Sequence, residues 1–137
     1  MQKIGTINIC GIPYTVVYYK DKFKEINMAL RERNAKYKVD DDEKPEKLNV
    51  DGYCDYNTKE IHIYNDDNTS EYYFKQTLLH EISHAFLYEI GYAHHDDEEF
   101  IDKLSKWVPQ IYDIFCEGME VITHAKNSKR SQSKKAN

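Results

Sequence analysis

TLLHEISHAF, residues 77–86, places His80 and His84 four residues apart with Glu81 beside the first. On a helix, positions i and i+4 share a face, so the two imidazoles are presented to one point. Glu81 lies about 100° round the helix from His80 and borders that point without occupying it. Metal-assisted hydrolysis needs this set: an ion to acidify a water, and a carboxylate to take the proton. Leu78, Leu79, Ile82, Phe86, Leu87 and Ile90 make the surroundings apolar, which predicts a buried helix. Two histidines and a glutamate there are costly unless paired, and a metal ion removes the cost. The bland alternative is two satisfied core histidines. With six His in the chain, the bare pattern arises in about 2% of shuffled sequences, so its apolar setting carries the weight.

Outward from this stretch, Asn68, Thr69 or Ser70 is suited to cap the helix, with Glu71 in its first turn. The spacing predicts a helix over 70–90, ended by Gly91. The segment YAHHDDEE then leads into a last helix over 97–116, bent or interrupted at Pro109, with Gly118 near its end. Upstream, VDGYCDYNTKEIHIYND reads as strands over 50–56 and 60–65 around a turn at Asn57-Thr58-Lys59. Alternation puts Ile61 and Ile63 on one face, and His62 and Tyr64 on the other. His62 is read as a surface residue.

Residues 3–10 and 14–20 are β-branched and aromatic, with Gly11 and Pro13 between them, and predict a hairpin. Asp21 suits a helix cap ahead of Phe23, Ile26 and Leu30. Residues 36–48 read as a polar loop. Its run Asp40–Glu43 lacks the alternating ligands and turn glycine of a calcium loop. The order is strands, helix, hairpin, helix, helix. The fold class is α+β, with a small, mainly antiparallel sheet packed on the helix that carries the motif.

A zinc site keeps three protein ligands and leaves a position for water. The metzincin extension requires Gly at 87 and His at 90, where this chain has Leu87 and Ile90. Downstream, His94, His95, Glu98 and Glu99 are the candidates for the third ligand. HEISH followed by DEEFIDKLS resembles the gluzincin arrangement. More closely, the chain resembles the small zinc metallopeptidase-like proteins of phages and prophages, distant relatives of the ImmA/IrrE type. That resemblance covers residues 50–116 and implies a zincin-like fold with Zn2+ as cofactor. It implies Glu98 as third ligand, and Asp102, one turn on, as the carboxylate that supports a ligand histidine. The 13 residues between His84 and Glu98 are few for a gluzincin. The helix advances about 10 Å from 84 to 91, and the next seven steps reach back over about 20 Å when extended, so the return is feasible.

The resemblance further implies peptide-bond hydrolysis with Glu81 as general base. The substrate class is a protein or peptide, such as a repressor of a mobile element. A catalytically silent zinc-binding module that captures another protein is the second reading. A SprT-like, DNA-associated protease, which a histidine third ligand would favour, is the third. None of the twelve tyrosines is singled out as an oxyanion partner.

Charge bears on these classes. Residues 1–124 hold 14 Lys/Arg and all 24 Asp/Glu, a net −10. Such a domain is not built to contact phosphates, so no direct nucleic-acid partner is expected. Residues 125–137 hold five Lys/Arg and no acid, and read as a basic, disordered tail after a domain over 1–124. Cys10, Cys54 and Cys116 are scattered and odd in number, which argues against a disulfide framework or a thiolate zinc site. With no signal core or membrane-length apolar run, the expectation is a cytoplasmic protein, in a bacterial host's cytosol if phage-encoded. Oligomeric state is not legible in the sequence.

Overall fold

Cys10 and Gly11 turn the first two strands. Both have positive φ, 53° and 87°, as the right-handed twist of a two-residue hairpin demands. A computed structural model describes residues 1–37, 50–66 and 68–135, without the side chains of Phe23 and of residues from 125 on. In it β1 (Gln2–Ile9) and β2 (Ile12–Tyr19) pair antiparallel. Pro13 lies inside β2, opposite Asn8, and not in the turn. Its missing N–H is harmless there, because β2 meets its other neighbour only from Thr15 onward.

Asp21 Oδ1 accepts from the Lys24 amide at 2.9 Å and opens a wide turn over Lys22–Ile26. The turn leads into α1 (Asn27–Tyr37), so Lys36 and Tyr37 are helical. The rest of the polar stretch read as a loop, including Asp40–Glu43, lies outside the described residues, as does the side chain of Phe23. β3 (Gly52–Asp55) and β4 (Glu60–Tyr64) form the second hairpin. The sheet order is β1-β2-β4-β3, and β2 and β4 run parallel. The sheet is therefore mixed: two of its three pairings are antiparallel, in line with the expected mainly antiparallel sheet, and one is parallel. The connection through α1 is long enough to return the chain for a parallel partner, which a tight turn cannot do.

Each face of the sheet is covered. Val17, Tyr19 and Ile26 pack with Ala29, Val50, Tyr53 and Tyr64 on the α1 side. Tyr14, Cys54, Ile61 and Ile63 pack with Phe74, Leu78, Ile82 and Ala85 of α2 (Glu71–Glu89) on the other. His62 is consequently buried and not at the surface. Its Nδ1 is 2.8 Å from the Tyr19 hydroxyl, and its ring stacks on Tyr53 at 4.2 Å. Burial holds its pKa down against the pull of Glu60. β4 is an inner strand, so the side chains on both its faces are enclosed.

Ser70 caps α2, its hydroxyl accepting from the Tyr73 amide. Gly91, at φ 73°, ends it, with the Tyr92 amide bonded back to the Leu87 carbonyl at 2.9 Å. The helix is half-buried and not enclosed: Phe86 is 44% exposed and Ile90 53%. α3 (Glu98–Lys135) starts at Asp97, whose Oδ1 accepts from the Phe100 amide at 3.0 Å. It runs through Pro109 without interruption and does not end near Cys116. The span read as a disordered tail from 125 has helical backbone to Lys135. Among the described residues no helix is long and apolar enough to cross a membrane.

The end of α2 is tied to the sheet by Glu89. Its Oε1 accepts from the Tyr14 hydroxyl and from Lys59 Nζ, each at 2.5 Å. Lys59, and then Tyr14, hold this carboxyl below its ordinary pKa. The folded pKa is the lower one. The tie's contribution is thus complete above the unfolded value of about 4.3 and is lost as pH falls through the folded value. Glu89→Gln is expected to cost about 1–2 kcal/mol at neutral pH. Urea denaturation should show that cost shrinking below about pH 4; an undiminished cost there would refute the charge-based tie.

Candidate metal centre

α2 and α3 meet where the chain turns back, and Ile101, fully buried, locks the first turn of α3 against α2. That contact sets Glu98 and Asp102 opposite His80 and His84. His80 Nε2 lies 3.1 Å from Glu98 Oε2 and 3.1 Å from His84 Nε2, and His84 Nε2 lies 3.4 Å from Glu98 Oε1. Donor atoms of His80, His84 and Glu98 all fall within 4.8 Å of one another, close enough to reach one metal ion.

The outer nitrogens fix the proton count. His84 Nδ1 is 2.7 Å from the His95 carbonyl, an acceptor, so this nitrogen carries the hydrogen. His80 Nδ1 is 3.0 Å from Asp102 Oδ1, and donates to it likewise. In the neutral rings both Nε2 atoms are then lone pairs, and they face each other and a carboxylate. Either protons or a cation must fill the space between them. Without a metal, Glu98 is held down to about 2 by His80 and His84. Burial pulls both histidines down, but Glu98 outweighs it and both are raised. Two imidazoles and one carboxylate, each ring braced from behind, suit zinc in type and number.

Glu81 borders this group, 5% exposed. Burial drives its carboxyl up to about 7, against the opposing pull of His80 and His84. In front of the four residues opens a cleft of about 1110 Å³. Its floor is α2; β3 and the start of α3 are its sides, and Tyr53, Tyr56, Tyr72 and Tyr73 contribute rings.

The structure therefore brings together His80, Glu81, His84, Glu98 and Asp102. The other third-ligand candidates are engaged elsewhere. His94 is exposed beside the Tyr92 ring. His95 contributes its carbonyl, while its ring lies by the Tyr92 carbonyl and Asp96. Glu99 pairs with Lys103 at 2.5 Å. One residue of the site was missed in the sequence, Gly52. A Cβ on it would lie 2.9 Å from both Cγ and Oε1 of Glu81, and 3.0 Å from the His62 carbonyl. The signal was there, since a glycine within a strand often marks a close approach.

No protein-family model, curated protein or solved structure matches this chain. The functional reading rests on the site.

Proposed function

We propose that this protein is a zinc-dependent peptidase of zincin-like build, with His80, His84 and Glu98 as the metal ligands. The observation that carries the reading is the convergence of two imidazole lone pairs and a carboxylate beside a buried glutamate, at the floor of an open cleft. Zinc held there supplies Lewis acidity, which brings the pKa of water towards neutrality and polarises a carbonyl.

The remaining work falls to the chain's own groups. Glu81 takes a proton from the attacking water and gives it to the departing amine. Its raised pKa suits both halves of that transfer, because it holds and releases a proton near neutral pH. Asp102 and the His95 carbonyl keep the ligand rings in one tautomer and one orientation. β3 is the outer strand of the sheet and lines the cleft, so an extended peptide can add to its edge and bring a carbonyl to Glu81. That edge is what supports a protein or peptide substrate.

The test is cleavage of an unfolded protein or a mixed peptide library by the zinc-loaded protein, followed by mass spectrometry. Cleavage that a chelator abolishes and zinc restores is expected. Zinc-loaded protein with no cleavage of any peptide would move the reading to the silent binding module.

Gly52→Ala probes the base from the strand side. The His62 carbonyl belongs to the paired backbone, so the added methyl must displace Glu81. Zinc content should be unchanged and turnover should fall at least about tenfold, as small misplacements at a reacting centre do. Unaltered turnover would mean that the position of Glu81 does not matter.

A further inference from the structure

The two ligand histidines are braced by unlike means. Asp102, behind His80, stands on α3 beside the buried Ile101. The carbonyl behind His84 belongs to His95, in the turns over 92–97 that join α2 to α3. The backbone bonds inside this segment are short-range: the His95 amide to the Tyr92 carbonyl at 3.3 Å, and the Asp97 amide to the His94 carbonyl at 3.1 Å. A segment tied so lightly opens at little cost unless side chains pack on it. Here they come from the sheet. Tyr56 follows β3 directly, in a turn that Asp55 Oδ1 fixes by accepting from the Asn57 and Thr58 amides at 2.9 and 3.3 Å. Its ring stacks on Tyr88 of α2, with centroids 4.3 Å and planes 5° apart. The His95 ring stands edge-on to both, 5.2 Å from Tyr56 and 5.1 Å from Tyr88. The Tyr56 hydroxyl donates to Asp96 Oδ1 at 2.7 Å, and Lys59 Nζ covers the Tyr88 ring at 4.8 Å.

We propose that Tyr56 is a positioning residue of the metal centre: its ring, stacked on Tyr88 and set against His95, holds the His95 carbonyl where His84 donates to it, and so keeps His84 aimed at the ion. The inference rests on the reading of His80, His84 and Glu98 as metal ligands and deepens it. The ring carries the effect and the hydroxyl adds little. Asp96 is 70% exposed at its side chain, so water can replace that hydrogen bond, whereas paired aromatic rings hold a fixed geometry. Tyr56 also packs on the core cluster that contains Cys54, Ile61 and Ala85. Packing by itself would act on the stability of the whole fold. Positioning acts on one of the two histidines, because the brace of His80 stands on α3 and does not depend on the 92–97 turns.

The test compares the zinc-loaded wild type with Tyr56→Ala, Tyr56→Phe and Tyr88→Ala. Competition titration reads zinc affinity, and nuclear magnetic resonance reads solvent exchange of the two ligand-ring N–H protons. Tyr56→Ala should bind zinc about 10–100-fold more weakly, the usual cost of freeing a ligand from its brace. Exchange of the His84 Nδ1 proton should quicken at least about tenfold as the turns open, while that of His80 stays unchanged. Tyr88→Ala removes the other ring of the stack from a residue 38% exposed, with less loss of core, and should show the same pattern even if Tyr56→Ala fails to fold. Tyr56→Phe keeps the stack and should lie within about threefold of the wild type on both readouts, the worth of one exposed hydrogen bond. Wild-type affinity and an unchanged His84 proton in the alanine variants overturn the proposal. So does equal quickening at His80 and His84, or a Tyr56→Phe variant as impaired as Tyr56→Ala. A wild type that takes up no zinc fails the metal-ligand reading itself, whereas zinc bound normally by the alanine variants fails only the role of Tyr56. Neither readout depends on peptidase activity.

Discussion

Glu81→Gln should keep its zinc and lose its turnover, with kcat lower by roughly 10²–10⁴-fold, the range a positioned general base contributes. Glutamine has the shape of glutamate, so the close fit against Gly52 is kept. What goes is the ability to take a proton. The substitution also removes an ionisable group from a site 5% exposed, where burial raises its pKa to about 7. Holding a charge there costs free energy, and active sites commonly carry such costs. The thermal midpoint of the variant should therefore equal or exceed that of the wild type. Parallel kcat and zinc-titration measurements check both halves. Loss of zinc together with activity would make Glu81 a ligand, and full activity would remove it from the chemistry.

Metal affinity should fall in a graded order across the residues that surround the ligand point. His84→Ala should be most severe. It removes a ligand and leaves the His95 carbonyl without its donor. Structural zinc sites of four ligands are worth about 10–16 kcal/mol, so one ligand is worth roughly 3 kcal/mol, or more than about 100-fold in affinity. Asp102→Ala leaves the ligands in place but frees the His80 ring, which should cost about 10–100-fold. Glu99→Ala breaks an exposed pair with Lys103 and should leave affinity unchanged. Competition titration against a zinc chelator of known affinity resolves the order. Equal losses for Asp102 and Glu99 would remove Asp102 from the site.

The local features of this chain could be read from its sequence. The i, i+4 histidines, the Ser70 cap, the Gly91 stop and the return to Glu98 each depend on a few neighbouring residues, and each has a residue-level signal. The pairings set by distant contacts could not be read. The parallel join of β2 and β4 depends on where α1 returns the chain, and no short pattern encodes that. His62 was misplaced for the same reason: alternation gives its face of the strand but not what covers that face. α3 was cut short because Pro109 and Gly118 read as stop signals. Helix formers over the rest of the span, among them Met119, Glu117 and Glu120, outweigh one proline and one glycine.

X-ray absorption at the zinc edge of the zinc-loaded protein tests the ligand set directly. Two imidazoles with oxygen donors at about 2.0–2.2 Å are expected for His80, His84, Glu98 and water. Three imidazoles, a site without imidazole, or a protein that retains no zinc after reconstitution would contradict it.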